Sequence, residues 1–350
     1  MRDRQTGVLL INLGTPESPR VSDVRRYLRE FLSDPRVLDM PRLARLALLE
    51  LVILPFRPRR SARAYEQVWL PTGSPLLVHG LALCAALESE LGPDTPVELA
   101  MRYGAPSLRS GLEALCRKGA ERIVALPLFP QHSEASTGSA TAKLREEHVR
   151  LAPTPTGSQT SLDILPSFYD DAGFIEAMRS VAHPRLTAFR PDSVLMSFHG
   201  LPESHLRKGD ASGGFCLRRD SCCDNIVPAN RHCYRAQCAA TARCLARALS
   251  LAAEDYSIAF QSRLGRTPWI RPYTDERLAE LASSGVKRLA ILCPAFVADC
   301  LETLEEIGVR ARESWLELGG EDFLLVPSLN AEPVWVTALA TMLRSATSPG

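Results

Sequence analysis

The chain has 350 residues, of which 45% are hydrophobic and 23% are charged. This balance is typical of a globular protein with enough apolar material for buried cores, and the length fits two ordinary domains or one large α/β body. The 41 basic and 40 acidic side chains leave a formal net charge of +1, which provides no field that would attract a polyanion. We therefore expect no nucleic-acid partner.

The first residues, MRDRQTGVLLINLG, enter a short apolar run almost at once. This run is too short and too early for the hydrophobic region of a signal peptide. We therefore expect a cytoplasmic protein.

The most membrane-like segment is Leu43–Arg60, LARLALLELVILPFRPRR. Arg45 and Glu50 interrupt it and Pro55 is expected to end it, so it is too short to span a bilayer. One interpretation is a core helix with a basic end. The other is a helix whose apolar face, followed by three arginines, contacts a membrane surface or lines an apolar pocket.

Apolar, β-branched runs alternate along the chain with segments of 3.6-residue periodicity. The predicted strands are Val8–Leu13, Val97–Tyr103, Ile123–Phe129, Leu162–Phe168, Val194–Phe198, Ile258–Phe260, Leu289–Phe296 and Phe323–Pro327. The predicted helices include Ser22–Leu32, Leu81–Leu91, Arg109–Arg117, Ala236–Leu249, Asp275–Ser283 and Asp299–Val309. This alternation predicts an α/β fold in which parallel sheets are flanked by helices, with Rossmann-like layering but no nucleotide-binding fingerprint.

Three pairs of similar segments occur in the same order in the two halves of the chain. VLLINLGTPES matches VLMSFHGLPES, MRYG matches SRLG, and KGAERIVALPLFP matches SGVKRLAILCPAF. They predict two similar Rossmann-like domains, residues 1–145 and 146–327, separated near the segment LAPTPTGSQTS. We expect a last helix, within 328–346, to pack back on the first domain.

His199 follows the predicted strand Val194–Phe198, whereas its counterpart in the first half is Leu13. The carboxyl ends of strands in open parallel sheets face the binding crevice. A neutral imidazole at this position can accept a proton or hold a metal near pH 7. A hydrogen-bonded structural histidine is the alternative, but Leu13 indicates that the fold needs no polar group here.

The segment DCLETLEEIGV, Asp299–Val309, follows another predicted strand end. α-Helical numbering puts Glu302 and Glu306 on one face. A solvated helix start would also favour acidic residues, because the helix dipole stabilises them. A column of carboxylates leading from a strand-end crevice also suits a divalent cation.

Together these motifs resemble ferrochelatase, the enzyme that inserts ferrous iron into a porphyrin in haem synthesis. The resemblance covers nearly the whole chain. It is carried by GVLLINLGTPESP, FLSDPRV, GSPL, MRYGAPS, LPLFPQ with STGSA, SFHGLPE, YRAQCAATA, AFQSRLG, PWIRPYTDE and CPAFVADCLETLEEI.

The resemblance implies roles for four residues at matching positions. His199 corresponds to the pocket histidine of the family, and Glu302 to the glutamate that faces it. Both are expected to be catalytic and to meet the Fe²⁺ substrate. Arg102 and Tyr103 are implied to line the pocket or to orient groups in it, as part of substrate binding.

Two positions depart from the family pattern. His132 stands where many members have tyrosine in PQY, and we expect it also to contact substrate. Cys300 stands where some members have histidine, which leaves a metal role at that position in doubt.

Six of the ten cysteines lie between Cys216 and Cys244, and family members without an insertion at 211–233 lack most of this segment. In a reducing cytoplasm such density favours metal binding over disulfides, and the absence of paired C-x-x-C motifs weakens a structural zinc site. The cysteines of the insertion are therefore predicted to ligate a 2Fe-2S cluster, with zinc or free thiols as alternatives. The four are Cys216, Cys222, Cys223 and Cys233. Cys238 and Cys244 are expected to pack in the next helix, although Cys238 could replace one ligand.

The expected activity is that of a lyase-class enzyme that inserts Fe²⁺ into protoporphyrin IX and releases two protons. Porphyrin and ferrous iron are its expected partners, with peripheral membrane contact as a further hypothesis. Coproporphyrin remains open as the substrate. A cobalt chelatase and a non-catalytic tetrapyrrole-binding protein are the alternatives.

Overall fold

The computed structural model describes residues 5–151, 160–265 and 267–347. The chain divides into two compact units. Unit 1 takes in Met1–Phe129, Glu134–Ser167 and Asn330–Gly350. Unit 2 takes in Pro130–Ser133 and Phe168–Leu329.

Unit 1 contains a parallel sheet of four strands in the order β2-β1-β3-β4. The strands are β1 (Thr6–Thr15), β2 (Val97–Gly104), β3 (Arg122–Pro127) and β4 (Ser161–Ile164). Their apolar runs are buried because helices cover both faces of a parallel sheet. Leu9 and Ile11 of β1 lie in one core cluster together with Ile123 and Ala125 of β3.

Most helices of unit 1 lie between consecutive strands, as parallel pairing of the strands requires. They are α1 (Val21–Ser33), α2 (Arg42–Ala47), α3 (Leu54–Val68), α4 (Pro75–Leu91), α5 (Leu108–Arg117) and α6 (Ser139–Val149). Two π-helical segments, Leu48–Ile53 and Glu134–Gly138, lie between α2 and α3 and before α6.

Unit 2 contains a second parallel sheet, in the order β6-β5-β7-β8. Its strands are β5 (Ser193–His199), β6 (Tyr256–Gln261), β7 (Arg288–Leu292) and β8 (Asp322–Leu325). Its helices are α7 (Ala172–Phe189), α8 (Glu203–Gly209), α9 (Tyr234–Ala248), α10 (Thr274–Ser283) and α11 (Arg312–Glu317). A 3₁₀ turn covers Asp220–Cys223 and a π-helix covers Glu302–Ala311.

The two sheets have the same topology, so the predicted α/β class with two similar parallel-sheet units is confirmed. β1 and β5, the strands of the repeated VLLINLG and VLMSFHG segments, occupy corresponding places in them. A glycine follows both Leu13 of β1 and His199 of β5. A Cβ on Gly14 would overlap the carbonyl of Tyr103, and one on Gly200 would lie 2.7 Å from the carbonyl of Gln261.

The expected boundary at 145/146 is wrong, because the Leu162 strand belongs to the first sheet. β4 pairs in parallel with β3, with Ile123 opposite Leu162, so unit 1 continues to Ser167. The predicted linker segment LAPTPTGSQTS falls mostly outside the described residues. The last helix, α12 (Pro333–Thr347), belongs to unit 1, where Arg344 donates to the carbonyl of Glu90 at 2.8 Å.

Two further expectations about helices are corrected. The helical segment that begins at Arg42 does not end at Pro55, because α3 follows the π-helical turn directly and Pro55 lies in its first turn. The segment with Glu302 is a π-helix rather than an α-helix, a form that is frequent at functional sites.

Candidate active site

His199 is the last residue of β5 and lies half-buried at the carboxyl end of the unit 2 sheet. Its Nδ1 lies 2.6 Å from the carbonyl oxygen of Gly200. A carbonyl oxygen only accepts hydrogen bonds, so Nδ1 carries a proton and donates it to Gly200. The ring lies 6.3 Å from the ring of Phe296, centroid to centroid. The strand end therefore presents an imidazole whose other nitrogen, Nε2, can act as a base or a ligand.

Gln261 connects the strand of His199 to the helix of Glu302. It stands opposite His199 in the parallel pairing of β5 and β6 and is only 3% exposed. Its Nε2 donates to the backbone carbonyl of Glu302 at 2.9 Å, and its Oε1 accepts from the hydroxyl of Ser197 at 2.8 Å. Gln261 thus links the strand that ends in His199 to the first turn of the π-helix that carries Glu302. A shared site of the two side chains stays a prediction.

Glu306 lies in the same network. Its carboxylate accepts from the backbone N–H of Ser262 at 2.8 Å and from the Ser262 hydroxyl at 2.5 Å. Gln261 Nε2 lies 3.4 Å from the same carboxylate. Ser262 has a left-handed φ of 67°, which is unfavourable for a residue other than glycine, and the two bonds to Glu306 stabilise it.

The two glutamates differ in what they can do. Both are half-buried, but the Glu306 carboxylate is occupied by Ser262, whereas the Glu302 carboxylate contacts the thiol of Cys300. Burial and the neighbouring Glu302 charge hold the pKa of the Cys300 thiol well above its usual value. Cys300 is therefore a neutral neighbour of Glu302, and the carboxylate remains the harder metal ligand of the pair.

Arg102 and Tyr103, the other predicted substrate-binding residues, lie in unit 1 at the end of β2. Arg102 donates to Asp34 at 2.7 Å and to Ser139 at 2.7 Å, and its guanidinium carbon lies 4.3 Å from the centre of the Tyr103 ring. The Tyr103 hydroxyl lies 2.9 Å from Asp34, and the side chain is fully buried. This network holds both side chains in fixed positions inside unit 1.

His132 lies in unit 2, in the short segment Pro130–Ser133. Its backbone N–H donates to Gln237 at 2.6 Å, and Gln237 in turn donates to the carbonyl of Arg231 at 2.6 Å. The His132 ring is in edge contact with the ring of His232, which belongs to the insertion, at 5.6 Å between centroids. The structure thus brings His132 next to the cysteine-rich segment.

All four cysteines of the insertion are buried, and their thiols contact one another. Cys222 Sγ lies 3.7 Å from Cys223 Sγ, and Cys233 is within hydrogen-bonding reach of both Cys216 and Cys223. Burial raises the pKa of the Cys216 and Cys222 thiols, and the contact with Cys233 together with burial raises that of Cys223. The donor set and its burial match an iron–sulfur ligand set in chemistry.

The sulfur positions themselves do not define a metal site. Within residues 5–151, 160–265 and 267–347, no group of three or more His, Cys, Asp or Glu side chains is arranged to hold a metal ion. Cys238 is fully buried in α9 against the Tyr234 hydroxyl, and Cys244 accepts from Arg247 at 3.2 Å.

A cavity of about 330 Å³ lies elsewhere in unit 2, at the amino end of β5. His183, Asp192 and Asp255 are among its lining residues. It is at the opposite end of the strands from His199 and contains none of the predicted site residues.

Gln261 and Ser262 are site residues that the sequence reasoning did not single out. They follow the apolar run Ile258–Phe260, so the rule that selected His199, a polar side chain directly after a predicted strand, would also have selected them. Asp34 had no such signal, because it follows a helix and meets Arg102 only in the folded unit.

Fold and site together define an α/β protein with a histidine at a strand end and a glutamate on a π-helix bonded to the neighbouring strand, residue types suited to proton transfer and divalent-metal chemistry. The ferrochelatase family model matches residues 5–347, and the chain belongs to that family. Ferrochelatases of Coxiella burnetii strain CbuK_Q154 and Legionella pneumophila strain Lens are 47% and 45% identical to it. The Coxiella alignment covers 98% of this chain and 94% of the relative, and the Legionella alignment 97% and 98%.

The structure of SirB from Bacillus subtilis with Fe³⁺ covers 98% of this chain and 96% of its own, at 11% identity and a TM-score of 0.49. The family membership shows that the protein is an enzyme that inserts a metal into a porphyrin.

Proposed function

We propose that the enzyme inserts Fe²⁺ into protoporphyrin IX at the carboxyl end of the unit 2 sheet, with His199 and Glu302 as its catalytic residues. The observation that carries this proposal is the Gln261 network, which joins the two residues across β5, β6 and the π-helix. Protoporphyrin is chosen over coproporphyrin because CPAFVADCLETLEEI resembles the form in Gram-negative-type members.

The reaction removes two pyrrole protons from the porphyrin as Fe²⁺ takes their place. Nδ1–H of His199 is bonded to Gly200, so in the neutral imidazole Nε2 is the nitrogen that can accept the first proton. The short bond to the carbonyl also fixes the tautomer, which avoids a ring flip before each proton transfer. His199 is therefore the general base.

Glu302 supplies an anionic oxygen ligand for ferrous iron and can replace water in the hydration shell of the metal. It can also take the second pyrrole proton. Its backbone is fixed by Gln261, whereas Glu306 is committed to Ser262, so Glu302 is the glutamate that faces the substrate. A flat porphyrin hides its lone pairs in the ring plane, so a site that binds a puckered ring would lower the barrier.

Of the two roles that the family resemblance gave Arg102 and Tyr103, we favour the orienting one. Tyr103 is fully buried, and two N–H groups of Arg102 donate hydrogen bonds to Asp34 and Ser139. His132 is proposed as a substrate contact, since it is half-exposed in the same unit as His199.

An anaerobic assay of Fe²⁺ insertion into protoporphyrin IX and coproporphyrin tests this function. We expect His199→Ala and Glu302→Gln each to lower kcat by about 10² to 10⁴-fold, the usual contribution of general acid–base catalysis. His183→Ala, which removes an exposed histidine of the same unit, should leave the rate unchanged. Wild-type protein that inserts iron into neither porphyrin would refute the proposal, and turnover of coproporphyrin alone would reverse the substrate assignment.

We also propose that Cys216, Cys222, Cys223 and Cys233 hold a 2Fe-2S cluster. Four buried thiols that contact one another in series support this: Cys216 contacts Cys233, Cys233 contacts Cys223, and Cys223 contacts Cys222. So does Arg235, whose Nη1 lies 3.6 Å from Cys223 Sγ and would offset thiolate charge. The 3.7 Å between Cys222 and Cys223 is close to the ~3.8 Å edge of a tetrahedron with ~2.3 Å metal–sulfur bonds. A bound cluster would supply a redox-active centre, which proton removal and metal insertion do not require.

Iron and acid-labile sulfide analysis of anaerobically purified protein tests the cluster. We expect two of each per chain, with visible absorption that disappears when any one of the four cysteines is replaced by alanine. Cys244→Ala should retain the cluster, since Cys244 is half-buried on α9 beside Arg247. Zinc without sulfide would indicate the zinc alternative, and metal-free protein would indicate free thiols.

A cytoplasmic location remains a prediction. Among the described residues, none of the helices is long and apolar enough to cross a membrane. We propose peripheral membrane contact through the exposed apolar residues of the segment Arg42–Val68. The most exposed are Leu43, Leu51, Val52 and Phe56.

A further inference from the structure

We propose that Gln261 is a positioning residue of the reaction, whose side-chain amide fixes the first turn of the Glu302 π-helix against the strand that ends in His199. This inference rests on the proposed catalytic roles of His199 and Glu302. It assigns to Gln261 the geometry between those two groups rather than any contact with substrate.

The side chain of Gln261 is held from several sides. Its Oε1 accepts from Ser197 on β5 at 2.8 Å and lies 4.0 Å from the Cys293 thiol after β7. Its Nε2 donates to the Glu302 carbonyl at 2.9 Å and lies 3.4 Å from the Glu306 carboxylate. Both hydrogens of the amide are therefore directed at the π-helix, and the oxygen at the sheet.

This polarity cannot be reversed. The amide oxygen faces a hydroxyl and a thiol, which can donate, and the amide nitrogen faces two oxygen acceptors. An isosteric carboxylate could not donate to Glu302 and would lie beside the negative charge of Glu306. An apolar side chain would leave the buried partners of the amide unsatisfied.

Other bonds also attach the first turn of the π-helix. Thr303 donates to Asp299 at 3.1 Å, and Asp299 accepts from the backbone of Ser328 beyond β8, at 3.2 Å. These bonds fasten the turn to the β8 side of the sheet. On the side of β5 and β6, Ser262 bonds the Glu306 carboxylate, and Gln261 bonds the main chain of Glu302 itself.

The expected consequence is a loss of kcat without an equal loss of substrate binding. A misplacement of about 1 Å between reacting groups can cost on the order of 10²-fold in rate. We expect Gln261→Met to lower kcat for iron insertion by 10 to 100-fold, with the KM for porphyrin changed by no more than about threefold. Gln261→Glu, which keeps the side-chain shape, should show the same pattern.

Hydrogen exchange provides a readout that is independent of activity. In both Gln261 variants the amides of residues 302–311 should exchange faster than in the wild type, while those of α10 should not. Ser193→Ala is the matched control. It removes another buried side-chain donor of unit 2, the hydroxyl at the amino end of β5 that lies 3.5 Å from the Asp255 carbonyl, and should leave kcat and the exchange of 302–311 unchanged.

The outcomes separate this inference from the proposed function. If wild type inserts iron and His199→Ala does not, yet both Gln261 variants keep the wild-type kcat and exchange pattern, the positioning role is wrong and the function stands. Loss of kcat in step with loss of folded protein, as for a general defect of unit 2, would also overturn it. If the wild type itself is inactive, the proposed function fails, while exchange still tests the attachment.

Discussion

Asp34 lies in the interior of unit 1, where a buried carboxylate requires hydrogen-bond partners. Its side chain accepts four hydrogen bonds. They come from the backbone of Arg36 at 2.7 Å and from the side chains of Arg102, Tyr103 and Ser139 at 2.7, 2.9 and 2.5 Å. Burial alone would raise the pKa of Asp34, but the bonds from Ser139, Arg36 and Tyr103 and the charge of Arg102 outweigh it and lower the pKa. Asp34 is therefore ionised and orients Arg102.

Asp34→Asn should destabilise unit 1 by about 2–4 kcal/mol at pH 7, because it leaves the buried guanidinium of Arg102 without its counter-charge. A carboxyl group whose pKa is lowered by folding stabilises the folded state fully at pH values above its unfolded-state pKa of about 4. This stabilisation is lost as the pH falls through the folded-state pKa. In urea unfolding, the gap between wild type and variant should stay constant from pH 7 to about 5 and narrow below about 4.

Asp163→Asn provides the control for this measurement. Asp163 forms an ion pair with Arg122 at 2.7 Å in the same unit, but half of its side chain is exposed, so the loss should be below about 1 kcal/mol. Equal losses for the two variants, or a gap for Asp34→Asn that does not change with pH, would contradict the account of Asp34.

At the level of single elements, each strand and helix named from the sequence overlaps an observed one, and the exception is the type of the Glu302 helix. Each of the eight predicted strands overlaps an observed one, because an apolar β-branched run buried on both faces has few alternatives. The predicted strand Leu289–Phe296 extends beyond the observed one. Cys293 and Pro294 continue the apolar pattern of the sequence but are not paired with a neighbouring strand. β7 ends at Leu292.

The π-helix of Glu302 could not be predicted in the same way. An α-helix and a π-helix bring residues four apart to similar faces, so the spacing of Glu302 and Glu306 fits both. What distinguishes them is the attachment of the turn by Gln261, Ser262 and Asp299, which come from other parts of the chain. An internal repeat singles out His199 by providing Leu13 for comparison. No repeat partner marked the pairing of Asp34 with Arg102.

At the scale of the whole molecule, a net charge of +1 hides a local asymmetry in unit 1. In the segment Arg42–Val68, Arg45 is buried and donates to the carbonyl of Met40 at 3.0 Å. Glu50 pairs with Arg29 of α1 at 2.8 Å. The two charged side chains that interrupt the apolar run thus pair with other groups of unit 1. The large hydrophobic side chains between and beyond them remain exposed.

The membrane proposal follows from that surface. Leu43 is 81% exposed, Leu51 73% and Phe56 75%, which is unusual for three large apolar side chains in one helical segment. Several exposed arginines follow Phe56, so the surface should prefer anionic lipid. We expect the protein to co-sediment with vesicles that contain phosphatidylserine more than with neutral phosphatidylcholine vesicles, and binding to weaken as salt is raised.

The double variant Leu51→Ser, Phe56→Ser should lower the affinity for vesicles by at least about tenfold. Burial of each apolar side chain in the lipid interface would contribute about 1.5–3 kcal/mol of binding free energy. Val149→Ser is the matched control, because Val149 is an equally exposed apolar residue of unit 1 outside this segment, at 74%. Both variants remove only exposed side chains, so folding should be preserved. Vesicle binding that is absent in the wild type, or that the double variant leaves intact, would show that this surface does not contact lipid.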